Sequence, residues 1–378
     1  MKIIYCIADI YNPGGMERVL LNKLRYWVRS GDHELLVVTT DQNGRPPFYA
    51  FPPEVRMVDL GIGYKEDKDK RPLAHLISYL RRRRLHRRKL TRLLMDEKAQ
   101  IVVSLYPSES SFIPQILDGS KKVLELHFSR NFRIQYGRKG ITGMVDRFRS
   151  KQDLKIVSRF DRFVVLTRED ARYWGNLPNL QVIPNAAPEH PAVRRKAGNK
   201  RVIAVGRLDY QKGFDRLLDA WALLEPSLLE SWHLDIFGQG EWESMLWDKI
   251  EELGIDTSVS IHHPSKDIFR EYASSDFLVM TSHYEGFPMV MVEAMSCGVP
   301  VLSYDFQCGP RDIITPGKNG LLIKEGDIIG LAHAMKRMML NEVMLESMSE
   351  HALEVSSVYS EASVMAQWES CFKQLLHE

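Results

Sequence analysis

A chain of 378 residues with net charge +2, 44% hydrophobic and 26% charged residues, has the composition of a soluble globular protein and room for two ordinary domains. Four widely spaced cysteines (Cys6, Cys297, Cys308, Cys371), without CxxC or a Cys/His cluster, argue against a disulfide scaffold or a structural zinc and for a reducing compartment. Met1-Lys2 precede an apolar run broken by Asp9, which reads as a strand rather than a signal peptide, and no apolar stretch approaches the ~20 residues of a membrane span.

The first predicted strand runs over residues 2–10. Tyr11-Asn12-Pro13-Gly14-Gly15 follows, then a helix marked by Val19, Leu20, Leu24, Trp27 and Val28 at helical spacing. This glycine turn is not GxGxxG, and no acid ends a second strand where a ribose would be bound, which disfavours a dinucleotide cofactor. Gly14 and Gly15 suit either a tight turn or the close approach of a ligand. Strands are predicted over 34–40 and 55–60. Asp67-Lys68-Asp69 spells the DxD string associated with metal-dependent sugar transfer, but it lies among alternating charges without a flanking apolar strand and reads as a solvated loop.

Residues 72–98 form a long basic helix, with Leu73, Leu76, Ile77, Leu80, Leu85, Leu90, Leu93 and Leu94 set against Arg81 to Arg84 and Arg87-Arg88-Lys89. It is either a core helix with a solvated cationic face or a surface helix that meets lipid headgroups or a phosphate-bearing acceptor. Nucleic acid fits less well, because no stacking aromatics interleave the arginines. Further strands are predicted over 101–105, 123–126, 163–166 and 180–183. His127 ends the second of these, where a residue of a parallel sheet faces the ligand side. Residues 130–155, with Gly137, Gly140 and Gly143, read as a basic loop and an amphipathic helix.

The prolines Pro184, Pro188 and Pro191, then Arg194-Arg195-Lys196 and Gly198, mark residues 184–199 as a linker between domains 1–183 and 200–360. Charge divides similarly: residues 1–180 hold 34 Lys and Arg against 20 Asp and Glu, and residues 181–378 hold 17 against 29. A basic first half predicts an anionic partner. The second half begins with a strand over 201–205 and Gly206-Arg207-Leu208-Asp209-Tyr210-Gln211-Lys212-Gly213, before a helix carrying Phe214, Leu217, Leu218, Trp221 and Leu224. Arg207 and Lys212, five apart, are predicted to converge on one diphosphate. Strands over 234–237 and 259–262 follow. The first runs into the glycine loop of Gly238 and Gly240, the second into His263-Pro264-Ser265.

The most informative stretch is Asp276 to Ser303: an apolar strand over 277–280, an exit loop, a short helix with Pro288 at its first position, Gly298 at its exit, and another strand. Glu285 lies in the loop and Glu293 in the helix, the latter flanked by Val292, Ala294 and Met295. An acid inside an apolar run is rarely buried without a partner. Carboxylates accept paired hydroxyls, and a helix N-terminus favours an anion, so a nucleotide sugar would satisfy both. Beyond lie a turn at Cys308-Gly309-Pro310-Arg311-Asp312, a strand over 321–323 and helices over 327–340 and 343–355. A final helix over 361–377 is free to pack back on the first domain.

In this order the motifs resemble those of the retaining, nucleotide-sugar-dependent glycosyltransferases of family 4. They are Gly14-Gly15-Met-Glu-Arg, Val205-Gly-Arg207 with Gln-Lys212-Gly, Phe237-Gly-Gln-Gly-Glu and the paired glutamates of Glu285-Gly-Phe-Pro-Met-Val-Met-Val-Glu293. Cys308-Gly-Pro and Asn319-Gly-Leu are similar to members that build bacterial surface polysaccharides and lipid-linked oligosaccharides. The resemblance implies an α/β GT-B fold, two Rossmann-like domains whose parallel sheets face a cleft. Residues 1–183 would take the acceptor, a glycan or polyprenyl-linked chain, and residues 200–360 the UDP-sugar or GDP-sugar donor.

It further implies that Arg207 and Lys212 hold the diphosphate, Glu293 the ribose, and Glu285 the donor sugar. Phe287, Pro288, Met289 and Val290 would line sugar and phosphate. Gly14, Gly15, Gly238 and Gly240 would let the donor approach the backbone, and His127 would face the reacting sugar. His263-Pro264 depart from the usual glycine near the base. No metal or other cofactor is expected, and the protein is expected in the cytoplasm, peripheral on the inner face of the plasma membrane. A non-catalytic nucleotide-sugar sensor on the same fold is the alternative.

Overall fold

The computed structural model describes residues 1–12, 14–67, 72–106, 108–132, 140–190 and 192–378. The chain divides into two units, the first Met1–Ile183 with Met365–Glu378, the second Pro184–Val364.

The first unit holds seven strands: β1 (Lys2–Cys6), β2 (Glu34–Thr39), β3 (Arg56–Asp59), β4 (Ile101–Ser104), β5 (Lys121–Glu125), β6 (Arg162–Val165) and β7 (Leu180–Val182). They lie in the order β3-β2-β1-β4-β5-β6-β7, all parallel. The central strands β1, β2 and β4 are apolar without alternation because both faces are covered. One face shares a core with two helices: Leu90 and Leu94 of Pro72–Glu97 and Val157 of Gly140–Val157 pack with Ile4, Val38, Val102, Leu124 and Val165. β1 is shorter than the predicted 2–10: its register with β2 and β4 ends at Cys6, beyond which Ile7 and Ala8 still bond to the end of β2 and the residues after it.

The second unit holds β8 (Arg201–Val205), β9 (His233–Phe237), β10 (Val259–His262), β11 (Phe277–Met280), β12 (Val301–Tyr304) and β13 (Gly320–Ile323). Their order is β10-β9-β8-β11-β12-β13, again parallel throughout. Each sheet reverses direction of growth once, between β1 and β4 and between β8 and β11. In doubly wound sheets ligands bind beyond the carboxyl ends of the strands at that switch point.

The proline-rich stretch 184–199, read as the linker, is grouped with the second unit. It is built into the second unit: Arg195 pairs with Asp276 at 3.0 Å, both side chains almost wholly buried, and Ala187 and Lys196 donate their amides to the Tyr359 and Ala273 carbonyls. Short helices at Pro226–Leu229, Glu243–Leu253 and Ile268–Ala273 were not marked in sequence. Of the DxD string, Lys68 and Asp69 lie outside the described residues, as do Pro13, Gly137 and Pro191.

Candidate functional site

The loops that leave β8 and β11 meet at the switch point of the second sheet. After β8 the chain makes a turn at Tyr210–Lys212, and Gly213, at φ 60°, redirects it into the helix Phe214–Trp221. A side chain at Gly213 would be strained there and would also meet the Thr281 carbonyl at 2.5 Å, so this entry to the helix needs glycine twice over. The Lys212 stem lies on Gly206, and its Nζ reaches Glu285 Oε1 at 2.6 Å. Ser282 Oγ donates to the same oxygen at 2.9 Å, and Gln211 Nε2 donates to Glu285 Oε2 at 3.2 Å and to the Tyr284 carbonyl at 3.0 Å. Three donors thus fix a carboxylate that is only 8% exposed.

Arg207 behaves otherwise. Its side chain is 70% exposed, 3.2 Å from Asp209 Oδ2, and Nη2 donates to Gln211 Oε1 at 3.0 Å. Arg207 and Lys212, expected to converge on one diphosphate, are linked through Gln211 and Glu285. Gln211 stands between them, joined to Arg207 on its carbonyl side and to Glu285 on its amide side. The sequence hinted at Gln211 only through its place beside Lys212, and Ser282 carried no signal of its own.

Glu293 lies on the helix Met289–Ser296, whose residues are apolar on nearly every side, the pattern of a buried helix. It is 4% exposed, and Oε2 accepts from the hydroxyl of the fully buried Tyr272 at 3.2 Å. Tyr272 comes from the helix Ile268–Ala273, 21 residues earlier, so no local pattern announced it. Ser296 Oγ donates to the Glu293 carbonyl at 2.6 Å and pairs with His190 Nε2 at 2.7 Å; the His190 ring stacks on Phe269. Pro288 is the residue before the helix, not its first, because its ψ of 80° is not helical. The Met289 amide already donates to the Phe287 carbonyl and that of Met291 to the Pro288 carbonyl. Phe287 packs near Tyr359, and bare Gly309 accommodates the Pro288 ring.

Gly238 and Gly240 have a packing reason to lack side chains. A Cβ on either would press on the backbone of the β8 loop, at Gly206 and Leu208 respectively. The two loops are tied by Leu208 N to the Gln239 carbonyl at 3.0 Å and Trp242 N to the Leu208 carbonyl at 2.9 Å. At the end of β10, His262 Nε2 meets Asp235 Oδ1 at 2.5 Å and stacks on Phe237, while His263 and Pro264 are exposed. Arg201 also bonds Asp235, and although burial works the other way, Arg201 and His262 lower the Asp235 pKa.

In the first unit, Gly14 and Gly15 begin the helix Gly15–Ser30, and they differ. A side chain on Gly14 would collide with the Glu17 carboxylate, whereas nothing lies within 4 Å of one on Gly15. Gly15 alone leaves room. Glu17, part of the Gly14-Gly15-Met-Glu-Arg motif but given no role there, is buried; burial raises its pKa, with its own backbone hydrogen bond, Lys65 and His127 opposing and Asp9 adding to the rise. His127, two residues past the end of β5, has a side chain 7% exposed, with Nε2 3.1 Å from Glu125 Oε1.

Two family models match consecutive parts of the chain: Glycosyltransferase Family 4 over residues 13–190 and Glycosyl transferases group 1 over residues 187–355. An exopolysaccharide phosphotransferase of Streptomyces coelicolor is 35% identical over 223 residues, 57% of this chain and 24% of that protein. The amylovoran biosynthesis glycosyltransferase AmsD of Erwinia amylovora is 32% identical over 220 residues, 55% of this chain and 61% of the relative. The chain thus spans less than two thirds of either. Among solved structures, a mutant of TarM from S. aureus in complex with fondaparinux, alpha-GlcNAc-glycerol and UDP superposes with TM-score 0.78 at 17% identity, covering 98% of this chain and 99% of that one. That likeness is one of fold.

Proposed function

This chain belongs to the family 4 glycosyltransferases of GT-B fold, and from that membership we propose that it moves a sugar from a nucleoside-diphosphate donor to a hydroxyl of a glycan or lipid-linked acceptor in surface-polysaccharide synthesis. The observation that carries this reading is the set Arg207–Gln211–Glu285–Lys212 at the switch point of the second sheet. It combines two cations with an acid held in place by three donors, next to a second buried acid at Glu293. The relatives' names, one an exopolysaccharide phosphotransferase and the other a glycosyltransferase of amylovoran biosynthesis, support a glycan acceptor. No observation favours a non-catalytic sensor.

In this reading Lys212 and Arg207 stabilise the charge that grows on the diphosphate as the bond from C1 of the sugar to it breaks. Lys212 is pre-aimed by Glu285 and is shared with the diphosphate once the donor arrives. The acceptor oxygen bonds C1 on the face the diphosphate leaves, its proton passing to the departing phosphate oxygen, so the anomeric configuration is retained. Glu285 accepts from hydroxyls of the donor sugar and Glu293 from those of the ribose. Phe287, Pro288, Met289 and Val290 line the donor, Gly238 and Gly240 hold the loop beside it, and Gly14, Gly15 and His127 keep the roles the family resemblance implies. Protein cations supply the positive charge, so the reading needs no metal.

Replacing Arg207 and Lys212 together with alanine is expected to cut transfer by about 100-fold or more with the circular dichroism spectrum unchanged and the melting temperature lowered, because Glu285 loses its buried partner. Undiminished nucleoside-diphosphate release would overturn the assignment. Uracil and guanine donors are separated by melting-temperature shifts with UDP and GDP, because a ligand that binds only the native state stabilises it by mass action.

An anionic membrane surface is the second partner proposed. The helix Pro72–Glu97 exposes Leu76 (52%), Ile77 (61%) and Leu80 beside Arg81, Arg84, Arg87 and Arg88, and the helix Gly140–Val157 exposes Met144 (65%) and Phe148 (62%) beside Arg147, Arg149 and Lys151. Both helices pack on the same face of the first sheet. Apolar side chains ringed by cations suit the boundary between headgroups and acyl chains, and such a site would face the cytoplasmic leaflet.

A further inference from the structure

Glu125-Leu126-His127 leaves β5 with two titratable side chains two positions apart. Residues at that spacing in extended chain point to the same face. Glu125 is completely buried, and its Oε1 is shared: the Lys23 ammonium, from the helix Gly15–Ser30, pairs with it, and His127 Nε2 lies 3.1 Å away. That His127 contact is at ion-pair distance without the alignment of a hydrogen bond, and Glu125 Oε2 has no hydrogen-bond partner among the described residues. Lys23 is 5% exposed, and its Nζ sits 3.7 Å from the ring centroid of Trp368, on the helix Glu361–His377. Burial alone would raise the Glu125 pKa, but Lys23 and then His127 hold it down at about 2, so the carboxylate is charged. Burial in turn lowers the Lys23 pKa, against the pull of Glu125.

Stability does not explain this arrangement. A buried ion pair is often no more stable than apolar residues of the same volume, and Glu125 adds an oxygen with no bond of its own. What the pair does is place one fixed negative charge against one ring nitrogen of His127.

We infer that Glu125 is a positioning residue, holding the His127 imidazole in one orientation at the end of β5, with Lys23 keeping it charged and Trp368 keeping Lys23 in place. This rests on the reading that His127 acts at the transferred sugar. The test uses the full chain, Glu125→Gln, Lys23→Met and the double variant. Nucleoside-diphosphate release is followed from UDP-glucose, UDP-galactose, UDP-N-acetylglucosamine and GDP-mannose, together with the ¹⁵N spectrum of labelled histidine side chains. Glu125→Gln is expected to lower kcat by about tenfold or more, with donor KM changed less than about twofold, and to shift the His127 ring signals.

The double variant removes the ion pair as a unit. Its melting temperature is expected to recover toward wild type while kcat and the ring signals do not. If the double variant recovers kcat along with stability, or if Glu125→Gln leaves kcat and the ring signals at wild type, the positioning role is wrong. Should Glu125→Gln fail to fold, the double variant decides. Should wild type release nothing from any donor, the transfer reading fails, and the ring signals still decide whether Glu125 orients His127.

Discussion

At the residue scale, the second unit uses two acids in different ways. Glu285 is held by Lys212, Gln211 and Ser282, so its orientation is set before any ligand arrives. Glu293 is held by the Tyr272 hydroxyl on a helix with no room to move. Preorganised acceptors lose little conformational freedom on binding, which favours affinity. Glu293→Gln preserves shape but replaces half of the acceptor with a donor, so it is expected to raise donor KM by about tenfold with kcat changed much less. Steady-state rates against donor concentration check this; an unchanged KM would remove Glu293 from the ribose.

At the element scale, Pro72–Glu97 shows how one helix serves two solvents. Its second half buries Leu90 and Leu94, and its first half leaves Leu76, Ile77 and Leu80 in the open. His86 sits where the two regimes meet, 2% exposed, its Nδ1 3.2 Å from the Tyr64 hydroxyl, with its pKa lowered by burial from 6.5 to about 4. The neutral ring is the one the fold accepts. An unfolded chain takes up that proton near pH 6.5 and the folded chain only near 4, so stability present above 6.5 is lost as pH falls through this window. The loss is on the order of 3 kcal/mol. His86→Phe is expected to flatten the fall in melting temperature between pH 6.5 and 4; an unchanged slope would show that other groups cause it.

At the scale of the whole molecule, basic residues outnumber acidic ones in the first half and acidic outnumber basic in the second. Among the described residues no helix is long and apolar enough to cross a membrane, so a membrane partner would be met at its surface. Each cation near an anionic surface contributes roughly 1 kcal/mol. Wild type is therefore expected to float with phosphatidylglycerol-rich vesicles at low salt and to be released as salt rises. Changing Arg81, Arg84, Arg87 and Arg88 to glutamate should abolish flotation while UDP still shifts the melting temperature. If wild type stays with the unbound fraction at low salt, the arginines form only a solvated face.

The chain's own sequence determined much of this. Continuous apolar runs closed by glycine loops marked the strands of two parallel sheets, because strands covered on both faces need no alternation. An acid inside an apolar helix marked Glu293, since burial of a charge is costly. What the tertiary structure decided were contacts between residues distant in the chain. It joined Gln211 to both Arg207 and Glu285, and it brought Tyr272 to Glu293 and Lys23 to Glu125. It also docked residues 184–199 on the second unit through Arg195 and Asp276. Periodicity reports the face a residue turns to the core. It carries no information on which distant side chain waits there, and hydrogen bonds and ion pairs depend on that meeting.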